Sequence, residues 1–223
     1  MTEARPPVRR RAGRPTREQA AARHEELLET ALDLFLEHGY ELATIEMIAA
    51  KVGMTKRTVY ARYPDKAALF LAAVRRAIER QVMPREEMER LDQGDLAATL
   101  EAIGRRRIRQ VMTPEGLRLQ RVINSESYRF PEIFTLHNEL STAPVIAFLT
   151  DLLDRAAAEG AIAPTNSGRV ARAFLSMVVG GQVRAIVAGR PPTPDQLDER
   201  VAFTVRLLLD GLRPRPNPME APQ

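Results

Sequence analysis

Residues 44–66, TIEMIAAKVGMTKRTVYARYPDK, leave a chain few ways to fold. Gly53 stands where a tight turn is needed, with Ala49 four residues before it and Val59 six residues after it. A small side chain at Ala49 lets a second helix cross closely, and the branched Val59 packs beneath that crossing. Ile48, Val52 and Met54 supply further apolar contacts. Thr44 reads as an N-cap and Pro64 as a stop, so two short helices flank a glycine turn. That spacing is the helix-turn-helix pattern.

The second short helix has two faces. With Val59 turned inward, Thr55 and Tyr63 share its side, one turn away in each direction. Lys56, Arg57, Tyr60 and Ala61 then point outward. A short helix with one buried and one basic face suits a major groove. Lys56 and Arg57 are placed for base edges, where an arginine fork matches guanine O6 and N7. Tyr60 can reach a phosphate, a sugar or a thymine methyl, and Arg62 a phosphate. Pro64 ends this helix so that Asp65 starts another, with Lys66 beside its unpaired amides, a place that favours phosphate. Thr44 is either a plain cap or a phosphate ligand on the other flank. The candidate DNA contacts within the motif are Thr44, Thr55, Lys56, Arg57, Tyr60, Arg62 and Lys66. Each alone also fits a solvated helix end; the ensemble points to DNA.

Charge distribution agrees. The net charge is only +4, but residues 1–80 carry 15 Lys and Arg against 11 Asp and Glu, and the remainder is balanced. Localised positive charge is the electrostatic footprint of a phosphate partner. Part of the excess lies in RPPVRRRAGRP, residues 5–15, a Pro- and Arg-rich arm without apolar periodicity that is expected to be disordered in isolation. Its Arg10, Arg11 and Arg14 suit a narrow minor groove, and a merely solubilising tail is the competing reading.

The rest of the chain reads as helix. Hydrophobic residues make up 44% and charged residues 28% of 223, enough to bury a core, while aromatics are only 5%. Abundant Ala, Leu, Arg and Glu favour helix over sheet. The periodicity predicts helices from Thr16 to about His38, ended by Gly39, then from Thr44, then over 55–61, and from Asp65 to about Met83. Longer helices follow over 95–112, 114–128, 131–159 (with 141–144 as the place where it can break), 167–188 and 195–212. The expected organisation is a basic arm at 1–15, a helix-turn-helix domain at 16–63 and a connecting helix at 64–83. A larger helical domain at 84–212 and a flexible tail at 213–223 complete it.

Several function classes drop out. The chain has no cysteine, which excludes disulfides, thiolate nucleophiles and cysteine zinc sites. His24, His38 and His137 are too dispersed for a metal site, and neither metal, cofactor nor catalytic residue is expected. No run approaches a membrane span and no apolar stretch follows Arg11 as a secretion signal requires, so the expected location is the cytoplasm, with no membrane partner.

Residues 31–70, ALDLFLEHGYELATIEMIAAKVGMTKRTVYARYPDKAALF, resemble the DNA-binding domain of TetR-type transcriptional regulators over about forty residues without a gap. The shared features are Gly-Tyr closing the first helix, Thr opening the second, IAAKVG, and Thr-x-x-Thr-Val-Tyr-x-x-Tyr-Pro-x-Lys. The resemblance implies a recognition helix at 55–61, with Lys56, Arg57, Tyr60 and Arg62 facing DNA. It makes Lys66 a backbone grip and Thr44 a phosphate contact. Ala61 stands where some members carry a bulky contact residue, so base preference does not transfer. RVINSESYRFPEIF, residues 121–134, is similar to a segment of one TetR C-terminal subgroup.

That family implies an all-α fold of about nine helices, with a ligand cavity and a dimer interface in the C-terminal half. Candidates for the cavity mix apolar surface with a few polar groups: Met88, Ile103, Arg107, Met112, Val122, Asn124, Tyr128, Phe134, His137 and Phe148. Glu126 belongs to the same group, and any of these can equally be core or surface. Apolar stripes with close-packing small residues make Phe174, Met177, Val178, Gly181, Val201, Val205 and Leu208 candidates for the interface, with part of each stripe expected to be intrachain core. The expected function is a TetR-type repressor that binds a palindromic double-stranded DNA operator as a homodimer and is released by a small-molecule effector. The alternative is a ligand-sensing helical protein that acts through a protein partner. An enzyme is disfavoured because the titratable groups of the C-terminal half are scattered.

Overall fold

The structure, a computed structural model, describes residues 16–180 and 192–214. Arg10, Arg11 and Arg14 of the arm and Gly181 lie outside the described residues, as do positions 181–188 of the expected helix 167–188. Every regular element among the described residues is helical. The chain divides into two compact units, Met1–Ala73 and Val74–Gln223.

The first unit contains α1 (Arg17–Leu42), α2 (Ile45–Lys51), α3 (Lys56–Tyr60) and the start of α4 (Lys66–Arg80). Helix α1 opens with a capping box: the Thr16 hydroxyl accepts from the Gln19 N–H at 3.2 Å, and the Gln19 side chain accepts from the Thr16 N–H at 3.1 Å. Leu27, Leu28, Ala31, Leu32 and Phe35 form its buried stripe. The expected stop at Gly39 is a kink, with φ 78°, beyond which the helix resumes to Leu42. The kink brings Tyr40 back onto Phe35 and Phe70, with ring centroids 5.7 and 5.3 Å away, and Phe35 meets Phe70 edge-on at 4.9 Å.

The second unit comprises the rest of α4, then α5 (Arg85–Leu91), α6 (Leu96–Val111), α7 (Pro114–Glu126) and α8 (Pro131–His137). A π-helical turn (Asn138–Thr142), α9 (Ala143–Ala158), α10 (Ser167–Val179) and α11 (Pro194–Gly211) complete it. Helix α5 was not expected from the sequence. It is seven residues long, has no side-chain cap at Pro84 and buries only Met88, too little to register as a period. The expected break at 141–144 takes the form of the π turn. Pro144 cannot donate to the helical ladder, and a widened turn absorbs the missing bond.

Helix α6 is the centre of this unit and packs against α9, α10 and α11. Its Gly104 permits the closest approach: a Cβ there would stand 2.8 Å from Val201 Cγ1 and 3.2 Å from the Phe174 ring. The core around it includes Leu100, Ile103, Phe148, Leu149, Phe174, Val178, Val201 and Val205. Four of the interface candidates are intrachain core. Phe174, Val178, Val201 and Val205 are at most 1% exposed within a single chain, and Met177 and Leu208 are half-buried. An apolar stripe marks a face that is buried but does not say which chain buries it.

Candidate nucleic-acid interface and a cavity

The helix-turn-helix geometry follows from a few local bonds. The Thr44 hydroxyl caps α2 by accepting from the Met47 N–H at 3.2 Å. Gly53 takes φ 64° in the turn, a conformation that favours glycine, and the Met54 N–H then closes onto the Ala49 carbonyl at 2.8 Å. Thr55 caps α3 through the Thr58 N–H at 3.1 Å, and the two threonine hydroxyls lie 2.8 Å apart. Five residues cannot hold a helix alone. Packing holds it: α3 contacts α2, and Val59 is fully buried, as are Ile48 and Ala49 of α2. Tyr63 adds an anchor, its hydroxyl 2.6 Å from His24 Nε2 and its ring stacked on that imidazole.

The opposite face is open. Thr44, Thr55, Lys56, Arg57, Tyr60 and Arg62 are all exposed, Tyr60 by 41%. Lys56 is not free: it pairs with Glu46 of α2, and its ammonium lies 5.4 Å from the Tyr60 ring centroid. The pair holds Glu46 below the usual carboxylate range, chiefly through the hydrogen bond from Lys56. Arg57 and Arg62 are the cations of this face without an ionic partner among the described residues. Glu46, and His24 beneath Tyr63, were missed by sequence reasoning; Glu46 sits ten positions from its partner, a spacing without a helical signature.

Lys66 departs from expectation. Its ammonium donates to the carbonyls of Tyr40, Glu41 and Ala43 at 2.8, 3.0 and 3.2 Å and sits 4.5 Å from the Tyr40 ring centroid. All three of its donors are thereby committed to the end of α1, where the helix dipole favours a cation. The start of α4 is also occupied, since the Asp65 carboxylate accepts from the Ala68 N–H at 2.7 Å. The geometry makes Lys66 a tie between α1 and α4, a role not expected from its position after Pro64.

Within the second unit α6, α7, α8, the π turn, α9 and α10 line a cavity of about 450 Å³ that is open to solvent on one side, where Phe134, Asn138 and Arg172 are exposed. Three of the expected pocket residues line it: Arg107, Phe134 and His137. Met88, Ile103, Val122 and Phe148 belong to the core, and Met112 packs half-buried against it. Tyr128 is 96% exposed, and Asn124 is exposed with its amide on the Gln120 carbonyl at 2.6 Å. These two follow the helical period but stand on the outer side of their segment. The lining also contains Ile146, Arg172, Leu175 and Val179, which the sequence did not single out.

Arg107 is 6% exposed and donates to Gln110 Oε1 at 3.2 Å and Ser141 Oγ at 2.8 Å. Burial, with help from the Arg106 charge, lowers its pKa to about 10, so it stays protonated at neutral pH. The same burial, with help from Arg107, pulls His137 down from 6.5 to about 4, so its imidazole is neutral. Below pH 6.5 the unfolded chain protonates this histidine before the folded one does. Stability is therefore expected to be complete above about pH 6.5 and to fall toward pH 4, by at most about 1.4 kcal/mol per unit. Urea midpoints at neutral and mildly acidic pH should differ less in His137→Gln than in wild type; equal differences would sink the assignment.

A capped, close-crossing helix pair with a basic outer face, in a chain whose second, helical unit has a cavity of its own, defines a DNA-binding regulator of the helix-turn-helix class. Residues 27–73 match the family described as bacterial regulatory proteins, tetR family, and residues 98–211 match the AefR-like transcriptional repressor C-terminal domain. The chain belongs to the TetR family of transcriptional regulators. It is 29% identical over 203 residues to an uncharacterized HTH-type transcriptional regulator of Mycobacterium tuberculosis, covering 90% of this chain and 91% of that one. The HTH-type transcriptional repressor Rv1474c of the same organism is 25% identical, with 86% and 94% covered. Among solved structures, the flavonoid-responsive regulator FrrA superposes with a TM-score of 0.68 at 25% identity, covering 88% of this chain and all of that one. The family is one of regulators rather than enzymes.

Proposed function

We propose that this regulator is a repressor that binds a palindromic operator as a homodimer and leaves it when a small molecule fills the cavity. The observation that carries the reading is the outer face of α3, where Arg57 and Arg62 stand exposed and unpaired while Val59 fixes the helix beneath them. In this reading Arg57 reads a base edge and Thr44, Thr55, Lys56, Tyr60 and Arg62 fix the register on phosphate and sugar. The arm residues Arg10, Arg11 and Arg14 enter the adjacent minor groove. Residues 16–63 read DNA and 84–212 sense the ligand, joined by the helix at 64–83, and the protein works in the cytoplasm.

Two features support the homodimer and the ligand. Helix α11 leaves Phe203 and Leu207 57% and 53% exposed one turn apart. Large apolar side chains exposed one turn apart suit a helix-on-helix contact with a second copy. Rv1474c is a repressor by name and FrrA a regulator responsive to flavonoids, which favours release by a small molecule.

Selection from a random duplex pool tests the proposal. Wild type should enrich a palindrome with half-sites about 34–36 Å apart, or a multiple of that spacing. Arg57→Ala should lose discrimination at one base pair of each half-site by roughly 10–100-fold, the worth of a bidentate contact. Failure to enrich any sequence would reject the reading and favour a protein partner; an unchanged consensus with Arg57→Ala would remove Arg57 from base readout.

A further inference from the structure

Four arginines crowd the C-terminal half of α6, and three are neutralised. Arg105 pairs with Glu101 at 2.6 Å, Arg106 with Glu87, and Arg109 with both Asp198 oxygens at 2.9 and 2.7 Å. Arg107 is the most deeply buried of the four and has no carboxylate partner among the described residues. Its hydrogen bonds go to the neutral Gln110 and Ser141. The cavity lining contains no Asp or Glu, and residues 181–191, which follow α10, contain none either. A buried cation that lacks its counter-charge is costly to keep.

The site is built for more than the charge alone. The π turn places Ser141, 2% exposed, against the guanidinium, and such turns recur where a helix is shaped around a ligand. Two of the five guanidinium N–H donors are accounted for, which leaves others for a bidentate acceptor. His137, neutral as shown above, adds a hydrogen-bonding group but no charge. Ile146, Leu175 and Val179 give the same lining an apolar part, and Arg172, also in the lining, is exposed. One buried positive charge in a lining that also offers apolar surface matches one negative charge on an apolar body.

We propose that the cavity receives a small monocarboxylic acid with an apolar body, whose carboxylate forks onto Arg107 and supplies the missing counter-charge. This rests on the reading of the cavity as the effector site. A phosphate, bearing about two charges at neutral pH, asks for a second buried cation, and Arg172 stays in solvent.

The test uses the full chain and matched probes: a panel of alkyl and aryl carboxylic acids, their primary amides, and the corresponding alkyl phosphates. Binding is read by thermal shift and calorimetry, and operator release by fluorescence anisotropy. Acids should bind at least tenfold more tightly than their amides and than the phosphates. Arg107→Gln should lose that preference while still binding the operator. Arg107→Gln and Arg107→Met should also melt higher than wild type without ligand, by about 2–4 °C, because each removes an uncompensated charge. That ligand-free shift separates a charge effect from a folding defect.

Acids and amides binding alike and both releasing operator would overturn the carboxylate proposal while leaving the effector site standing. Preference for phosphates, or no binding across the panel, would also overturn it. Ile146→Trp narrows the cavity itself; a probe that binds and releases operator unchanged in that variant would overturn the effector-site reading.

Discussion

Gly116→Ala should cost the Val74–Gln223 unit roughly 3 kcal/mol or more, a loss of about 6–12 °C in Tm. The turn between α6 and α7 is tight: Thr113 caps α7 through the Gly116 N–H at 3.0 Å while its own hydroxyl donates to the Gln110 carbonyl at 3.0 Å. Gly116 therefore lies against the end of α6. A Cβ would sit 2.3 Å from the Gln110 carbonyl oxygen and 2.6 Å from that of Val111. Both obstacles are backbone, so no rotamer change relieves the clash and α7 must move as a body. Gly168→Ala is the control, because its Cβ would meet nothing closer than 3.8 Å. Thermal unfolding followed by circular dichroism checks the pair; a Gly116→Ala transition within a degree of wild type would refute the packing argument. Since Gln120 of α7 lines the cavity, ligand binding should weaken along with stability.

The second large effect is expected at Lys66. Lys66→Met keeps the stem and its packing but strips the three carbonyls of Tyr40, Glu41 and Ala43 of their donor. Removing charge-assisted bonds at a half-buried helix end should destabilise the Met1–Ala73 unit by about 1–3 kcal/mol. DNA affinity should fall as well, because Thr44 and α2 follow directly from the segment these bonds hold. The signature lies in the salt dependence. Loss of a phosphate contact lowers the slope of log K against log salt by about one, as Arg62→Ala should do. Lys66→Met should weaken binding with the slope unchanged. Anisotropy titrations at several salt concentrations decide it, and a reduced slope at wild-type stability would return Lys66 to the phosphate.

What was legible in the sequence was what short-range chemistry controls. Thr16 and Thr44 cap the helices expected to start at them, Gly53 turns the chain, and Val59 is buried. Each follows from a spacing of a few residues. The carbonyl partners of Lys66 were not legible because they lie 23 to 26 positions away, where no periodicity reaches. Phe174, Val178, Val201 and Val205 illustrate the other limit. Their stripe was correctly seen as buried, but α6 buries it from within the chain, a fact that depends on Gly104 and on the order in which helices stack. In the cavity Arg107, Phe134 and His137 were anticipated, whereas Ile146, Leu175 and Val179 look like any core residue until the helices around them are in place.

The hydrogen bonds of Arg107 also bear on how a cavity of this kind can change over generations. Exchanging Arg105 or Arg106 for a neutral residue strands Glu101 or Glu87, and exchanging Arg109 leaves Asp198 only its longer contact to Arg105 at 3.7 Å. Arg107 leaves behind only Gln110 and Ser141, which are uncharged and can be met by water or by a polar replacement. A single codon step at this position thus alters the charge of the chamber without disturbing the ion pairs that brace α6. A lineage could move from sensing one class of small molecule to another through a folded, DNA-competent intermediate.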